Sequence, residues 1–114
     1  MSILSELVSI MDKLDIPVET GVFSGKPPDA YVVLIPLADT FEMYADNKPQ
    51  YETQEARVSL FSRENYFRRK LKIVNTVLEN DLTVTNRRYI DHDDQTGYHH
   101  YVIDVAKNYE RPEI

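Results

Sequence analysis

Residues 51–80 constrain the fold of this chain more than any other stretch, because a long strand there runs directly into one amphipathic helix. In the strand, Ala56, Val58 and Leu60 alternate with polar residues, and this period of two is typical of a half-buried strand. Residues 51–55 are polar on both faces, so the strand is expected to extend past the core. The helix repeats apolar residues at helical spacing and therefore needs a sheet to cover its apolar side. Its predicted apolar stripe consists of Phe67, Leu71, Val74 and Leu78, widened by Tyr66, Ile73 and Val77.

The segments on either side of this stretch supply the remaining elements. Residues 2–14 predict a first helix with a broad apolar stripe. Strands are predicted, in chain order, at residues 31–37, 41–44, 51–62, 82–90 and 98–106. Pro36 cannot donate a ladder hydrogen bond, so it marks either the end of the first strand or an edge position. Residues 1–114 are thus predicted to form a single α+β domain, with two helices packed on one face of a mainly antiparallel sheet of about five strands.

The second and third predicted strands are expected to form a hairpin around a turn at residues 46–49. This hairpin, residues 41–61, is longer than the core requires. It is therefore expected to lie partly outside the domain and to contact a neighbouring molecule.

Composition excludes several classes of protein. The chain has no cysteine, which rules out disulfides and thiolate chemistry. Its net charge of -6 argues against a protein that coats nucleic acid, because phosphate binding depends on clustered Lys and Arg. The first residues lack the basic region of a signal peptide, and no apolar run approaches the roughly 20 residues that a membrane helix needs. No membrane association is predicted.

Carboxylates and imidazoles concentrate in one turn and the strand that follows it: Asp91, His92, Asp93, Asp94, His99 and His100. Such side chains can hold Zn, Mn or Fe, so a small metal-dependent enzyme that uses some of them is one hypothesis. However, His99 and His100 are adjacent on a strand, so they face opposite sides and cannot share an ion without a bulge. The spacing matches no ligand signature, and the chain contains no other catalytic motif. We therefore predict no metal, no cofactor and no enzymatic activity.

Charged and aromatic side chains suggest a protein interface instead. Arg68, Arg69 and Lys72 lie mostly off the apolar stripe of the second helix, where they form either a solvated face or a docking surface. The acidic residues are concentrated in the turn at residues 91–94, apart from the basic face of the helix. The basic helix face of one copy is therefore predicted to pair with the acidic turn of a second copy. Tyrosine, which is enriched at interfaces, supplies two candidate anchors on the hairpin. The predicted interface residues are Arg68, Arg69, Lys72, Asp91, Asp93, Asp94, Tyr44 and Tyr51.

Three stretches carry a resemblance to a known family: VFSGKPPDAYVVL, TFEMYADNKPQYETQEARVSLFSRENYFRRK and RRYIDHDDQTGYHHYVIDVAK. They resemble small proteins encoded in the neck and tail gene clusters of siphophages and prophages of Gram-positive bacteria. The class is that of tail-terminator or tail-completion proteins, which includes the phage lambda tail terminator at the level of fold. The resemblance covers residues 17–109 and contains no catalytic motif, so no active-site residue carries over.

The resemblance implies a structural protein that assembles as a homo-oligomeric ring, often a hexamer, in the neck of the virion tail. The ring would cap the tail tube and join it to the head connector or stopper protein, after assembly in the cytoplasm of the bacterial host. DNA would pass through the lumen without specific binding, and the acidic balance of the chain is compatible with such a lumen. Another neck adaptor, either a head–tail connector or a stopper, is the alternative within this class.

Overall fold

The computed structural model describes residues 2–21, 25–45 and 48–111, and the side chains of residues 42–49 lie outside that description. In chain order the elements are α1 (Ile3–Lys13), β1 (Val18–Thr20), β2 (Ala30–Ala45), β3 (Lys48–Ser62), α2 (Tyr66–Glu79), β4 (Thr83–His92) and β5 (His99–Glu110). Among the described residues, no helix has the length and apolar character needed to cross a membrane.

The strands form one five-stranded sheet in the order β1-β2-β3-β5-β4. β1 pairs with β2 in parallel, and the other three pairs are antiparallel. The predicted α+β class with a mainly antiparallel sheet is thus confirmed.

Two predictions about the strands before α2 are wrong. The short strand β1 is absent from the predicted strands, and the two strands predicted at 31–37 and 41–44 are one continuous strand, β2. β1 pairs with β2 only as far as Leu34, so the rest of β2 has one open edge, where proline is tolerated. A register shift between Pro36 and Ala38 indicates a bulge that lets the strand continue past the proline.

One hydrophobic core holds these elements together. The alternating residues of the sheet that enter it are Val32, Leu34, Ala56, Val58, Leu60, Tyr101, Ile103 and Val105. The helices contribute Ile3, Leu7, Ile10, Met11, Ile73, Val74 and Val77 to the same cluster. The predicted alternation in β3 and β5 is therefore confirmed, and the buried side chains of both helices belong to one core.

α1 is fixed at its start and along its side. Ser2 caps the helix through a capping box with Ser5, whose backbone N–H donates to the Ser2 hydroxyl at 3.2 Å. The carboxylate of Glu6 accepts hydrogen bonds from Lys107 Nζ at 3.0 Å and from the Tyr109 hydroxyl at 2.9 Å. Burial, and then the hydrogen bond to Glu6, raise the pKa of Tyr109. These contacts anchor α1 to the last strand.

The predicted apolar stripe of α2 is rotated relative to the face that the structure buries. Ile73 and Val77 are fully buried, whereas Phe67, Leu71 and Leu78 are exposed. The buried side of the helix also carries Tyr66, which packs against the core, and Lys70, whose Nζ lies 4.5 Å from the Tyr101 ring centroid. A lysine can occupy such a position because its stem packs on apolar surface while its ammonium group rests on an aromatic ring.

Candidate functional site

The two faces of the sheet carry different side chains at the end near the β4–β5 turn. His99 stacks on Tyr66 of α2, with ring centroids 4.7 Å apart, so it lies on the side of the sheet that α2 covers. His100 stacks on Phe61 of β3 and lies on the opposite side. The prediction that these two histidines face opposite sides is thus confirmed. We call the opposite side the cavity face, defined by Tyr31, Val33, Phe61, His100 and Asp104.

An aromatic row crosses the cavity face over three neighbouring strands. Tyr31 and Phe61 are cross-strand partners, and their rings are stacked with centroids 4.9 Å apart. Phe61 and His100 are also cross-strand partners, and their rings stack at 4.2 Å. Tyr98 meets Tyr31 edge-on at 5.5 Å. Stacked and edge-on pairs are the favoured arrangements of aromatic rings, so the row is a rigid platform.

The aromatic row forms one side of a cavity of about 320 Å³. The rest of its lining includes Gly21, Pro27, Val33, Ile35 and Ser59. The volume lies at the lower end of the range for ligand pockets, about 300–1,000 Å³. The cavity therefore has room for an aromatic side chain or a small organic group.

His100 gives this cavity a buried side-chain nitrogen that has no hydrogen-bond partner among the described residues. The Nε2 atom is buried and forms no hydrogen bond there. Burial lowers the pKa of His100, the nearby charge of Arg57 lowers it further, and Asp91 opposes both effects. The imidazole is therefore neutral at neutral pH, and a buried polar atom without a partner costs about 1–3 kcal/mol. A molecule that bonds to Nε2 would recover part of that cost.

Farther along the same face, an ion pair joins β3, β5 and β4. Arg57 donates to both carboxylate oxygens of Asp104, at 2.8 and 3.1 Å, and Asn86 donates to the same carboxylate at 3.4 Å. These residues are cross-strand partners, so the sheet register places them together. The hydrogen bonds from Arg57 lower the pKa of Asp104.

α2 presents an apolar ridge to solvent, defined by Phe67, Leu71 and Leu78. Their exposed fractions are 59%, 41% and 51%. Arg68 and Lys72 are exposed beside the ridge. An exposed apolar stripe with charged neighbours is typical of a surface that binds another protein.

The β2 half of the hairpin extends beyond the core, as predicted. Residues 51–55 of β3 are instead partly covered, because they pair with β5 and Gln54 accepts a hydrogen bond from the Ile3 backbone N–H at 2.8 Å. Residues 35–41 are exposed without interruption, and they include Ile35, Leu37 and Phe41. Tyr51 on β3 is exposed by 37%. The chain is accordingly elongated, with extents of 55 × 25 × 24 Å. We call residues 35–45 and 48–55 the arm.

Three predicted interface residues are basic side chains of α2. Arg68 and Lys72 are exposed and available for contact. Arg69 donates to the Ser62 hydroxyl at 2.8 Å and to the Glu64 carbonyl oxygen, so it braces the turn before α2.

The predicted acidic residues near the β4–β5 turn also differ in whether contacts within the chain already use them. Asp93 accepts hydrogen bonds from the backbone N–H groups of Gln95 and Thr96, and these bonds lower its pKa. Asp94 lies 3.1 Å from His92 Nδ1. Asp91 is the cross-strand partner of His100 and therefore flanks the cavity. Of the two tyrosines, Tyr51 lies on the arm, and the side chain of Tyr44 lies outside the described residues.

The structure separates the candidate metal ligands. His92 and His99 are near each other, with ring centroids 4.5 Å apart, but His100 is on the other face of the sheet. Within residues 2–21, 25–45 and 48–111, no three His, Asp or Glu side chains are placed to hold one ion.

The cavity was not identified from the sequence, which named His100 only as a candidate metal ligand. Tyr31, Phe61 and His100 are far apart in the chain, and only the sheet register brings them together. One signal was present: each lies at a strand position out of phase with the core-facing residues, where an aromatic ring is unexpected. A search for such aromatics on neighbouring strands would have indicated the row.

Comparison with known proteins gives no family assignment. A scan against models of protein families found no match, and a search of curated proteins found no similar sequence.

Proposed function

We propose that this chain is a structural protein of a phage or prophage tail, of the tail-terminator or tail-completion kind. It assembles as a homo-oligomeric ring, a hexamer by its resemblance, that caps the tail tube and joins it to the head connector. The observation that carries the proposal is the arm, a paired strand segment that leaves the core with exposed apolar residues.

The exposed apolar residues and open strand edge of the arm are better explained by an assembly than by an isolated molecule. Its backbone is paired along β2 and β3, so the arm is a formed structure, yet Ile35, Leu37 and Phe41 face solvent. From Ile35 onward, β2 also has no partner among the described strands on its other edge. Exposed apolar edges promote association, and natural proteins cover them in their assemblies.

The charge of the chain supports passage of DNA through the ring. A net charge of -6 per copy makes the summed field of several copies repel phosphate. Such a lumen would let DNA slide without adhering to its wall.

The test uses the gene order and the tail-tube protein. We expect the gene to lie just upstream of a major tail-tube gene. Tubes polymerised from that tube protein should stop elongating after this chain is added, and negative-stain electron microscopy should show an extra ring at one end. Continued elongation with bare ends would overturn the proposal. A ring that binds the head connector and leaves the tube unchanged would favour the neck-adaptor alternative.

The arm itself provides a second prediction. Leu37→Ser combined with Phe41→Ser should abolish tube capping, because both apolar contacts are lost. The thermal midpoint should shift little, since exposed substitutions usually change stability by about 0.5 kcal/mol or less. Ile90→Ser is the matched control, because Ile90 is an exposed isoleucine on β4, at the other edge of the sheet. If the arm variant unfolds at a much lower temperature than the control, the arm belongs to the core.

A further inference from the structure

The molecule carries two apolar surfaces on opposite sides of its sheet. The ridge of α2 lies on the side that Tyr101 faces, since Lys70 of this helix rests on the Tyr101 ring. The cavity lies on the side that His100 faces. Because the sheet stands between them, the ridge and the cavity of one chain cannot meet. A second copy can bring them together.

We infer that the ridge of one copy docks into the cavity of the next, with the Phe67 side chain against the aromatic row. This inference rests on the proposed function and names the contact that builds the ring. A contact between two different surfaces of identical chains is head-to-tail, and it generates a ring when the rotation closes.

The chemistry of the two surfaces is complementary. Phe67 is the most exposed of the ridge residues. The rings of the row stack on one another, so an incoming ring meets their edges, and this edge-on arrangement of aromatic rings is favoured. The cavity offers the stacked rings of Tyr31, Phe61 and His100 beside the aliphatic Val33. Buried aromatic anchors in pockets of this kind carry most of the binding energy of protein interfaces.

Charges at the rims orient the two copies. Arg68 and Lys72 flank the ridge, and Glu19 and Asp91 flank the cavity as cross-strand partners of Val33 and His100. Arg57 also lies on the cavity face, but Asp104 already neutralises it at 2.8 Å.

Three other basic side chains lie on or near the cavity face. Lys26 is next to Pro27, which lines the cavity, and Arg88 on β4 is the cross-strand partner of Val102 on β5. Arg63 lies 4.6 Å from the centroid of the Tyr98 ring and is paired with Asp29 at 2.9 Å. The complementarity is therefore carried by local pairs and not by the net charge of either surface.

The decisive experiment mixes two variants of the full chain. Phe67→Asp removes the ridge anchor, and Ile35→Asp puts a charge at the cavity wall, where the side chain is 37% exposed and the fold should tolerate it. In sedimentation velocity, each variant alone should associate at least about 30-fold more weakly than the natural chain. The equimolar mixture should form a dimer of one copy each, because the intact cavity of one variant accepts the intact ridge of the other.

Each outcome either supports or overturns the docking of the ridge into the cavity. A mixture that remains monomeric, or a single variant that associates like the natural chain, overturns the docking. So does a natural chain that stays monomeric at about 1 mM, because any dissociation constant would then exceed that concentration, a binding free energy weaker than about −4 kcal/mol. Ile90→Asp is the control for an added surface charge and should associate normally. Circular dichroism establishes that each variant is folded.

The rim charges are tested in the same mixture. Arg68→Glu in the copy that supplies the ridge should weaken the mixed dimer by about 2- to 5-fold, the range expected for exposed pairs. Asp91→Lys or Glu19→Lys in the copy that supplies the cavity should recover that loss. If neither does, the rim charges do not orient the contact.

The mixing experiment tests the docking, and the tube experiment tests the tail function, so either can fail while the other succeeds. Capping of tubes without a mixed dimer would keep the proposed function and discard the docking. A mixed dimer without capping would keep the docking and discard the tail function.

Discussion

Replacing Ile73 by alanine is expected to lower the free energy of unfolding by about 3 kcal/mol, and the thermal midpoint by roughly 10 °C. Ile73 is fully buried between α2 and the sheet, so its truncation leaves a cavity that the surrounding side chains fill only in part. Leu78→Ala on the same helix should change the free energy of unfolding by less than about 1 kcal/mol, because Leu78 is half exposed. Urea titration followed by circular dichroism measures both values.

The comparison of these two variants tests the rotation of α2. The two residues are both aliphatic and of equal size, and they differ mainly in which side of the helix they occupy. Val77→Ala, at a second buried position, should also destabilise the chain. If Leu78→Ala costs as much as Ile73→Ala, the ridge is part of the core and is not available for docking.

The sheet core could be predicted where local alternation decides burial. Val58 and Leu60 in β3, and Ile103 and Val105 in β5, alternate with residues of the other face, and all four are fully buried. A period of two leaves one choice of face, because a shift by one residue would expose the whole apolar set.

The rotation of α2 could not be predicted, because two stripes compete on one helix. The stripe through Phe67, Leu71 and Leu78 is purely apolar, so it has the stronger pattern. The stripe that is buried contains Lys70, a charged residue that is not expected in a buried stripe. The contact between Lys70 and the Tyr101 ring favours burial of the second stripe. This contact joins residues far apart in the sequence, so local patterns of apolar residues cannot predict it.

Which of the predicted interface charges are free for contact could not be read from the sequence. Arg69 and Asp93 were grouped with their neighbours because they share a charge and a segment. The structure uses both internally, Arg69 to brace the turn before α2 and Asp93 to close the β4–β5 turn. Of the same groups, Arg68 remains exposed and Asp91 stands beside the cavity. The backbone geometry decides which charged side chains form bonds within the chain, and a sequence pattern of charges does not specify that geometry.

Replacing Asp104 by alanine is expected to lower the free energy of unfolding by about 2 kcal/mol at neutral pH. The change removes two hydrogen bonds from Arg57 and one from Asn86, and it leaves the guanidinium group without its partner. The side chain of Asp104 is 11% exposed and that of Arg57 is 30% exposed, so solvent compensates only in part. The double variant Arg57→Met with Asp104→Leu should lose less than Asp104→Ala, because no charge remains unpaired. A double variant that is less stable than Asp104→Ala would contradict this account.

The same carboxylate makes stability depend on pH in the acid range. The hydrogen bonds from Arg57 hold the pKa of Asp104 below its ordinary value of 3.8, so the folded chain binds this proton less readily than the unfolded chain. The contribution of Asp104 to stability is therefore fully present above about pH 5, and it is lost as the pH falls toward the pKa of the folded state. Asp104→Asn does not titrate, so the difference in the free energy of unfolding between the natural chain and this variant should be constant from about pH 5 to pH 7 and should shrink below about pH 4. Taking the difference cancels the other carboxylates, including Asp93, whose pKa is also lowered. A difference that stays constant down to about pH 2 would show that the ionised form of Asp104 gains nothing from Arg57 in the folded chain.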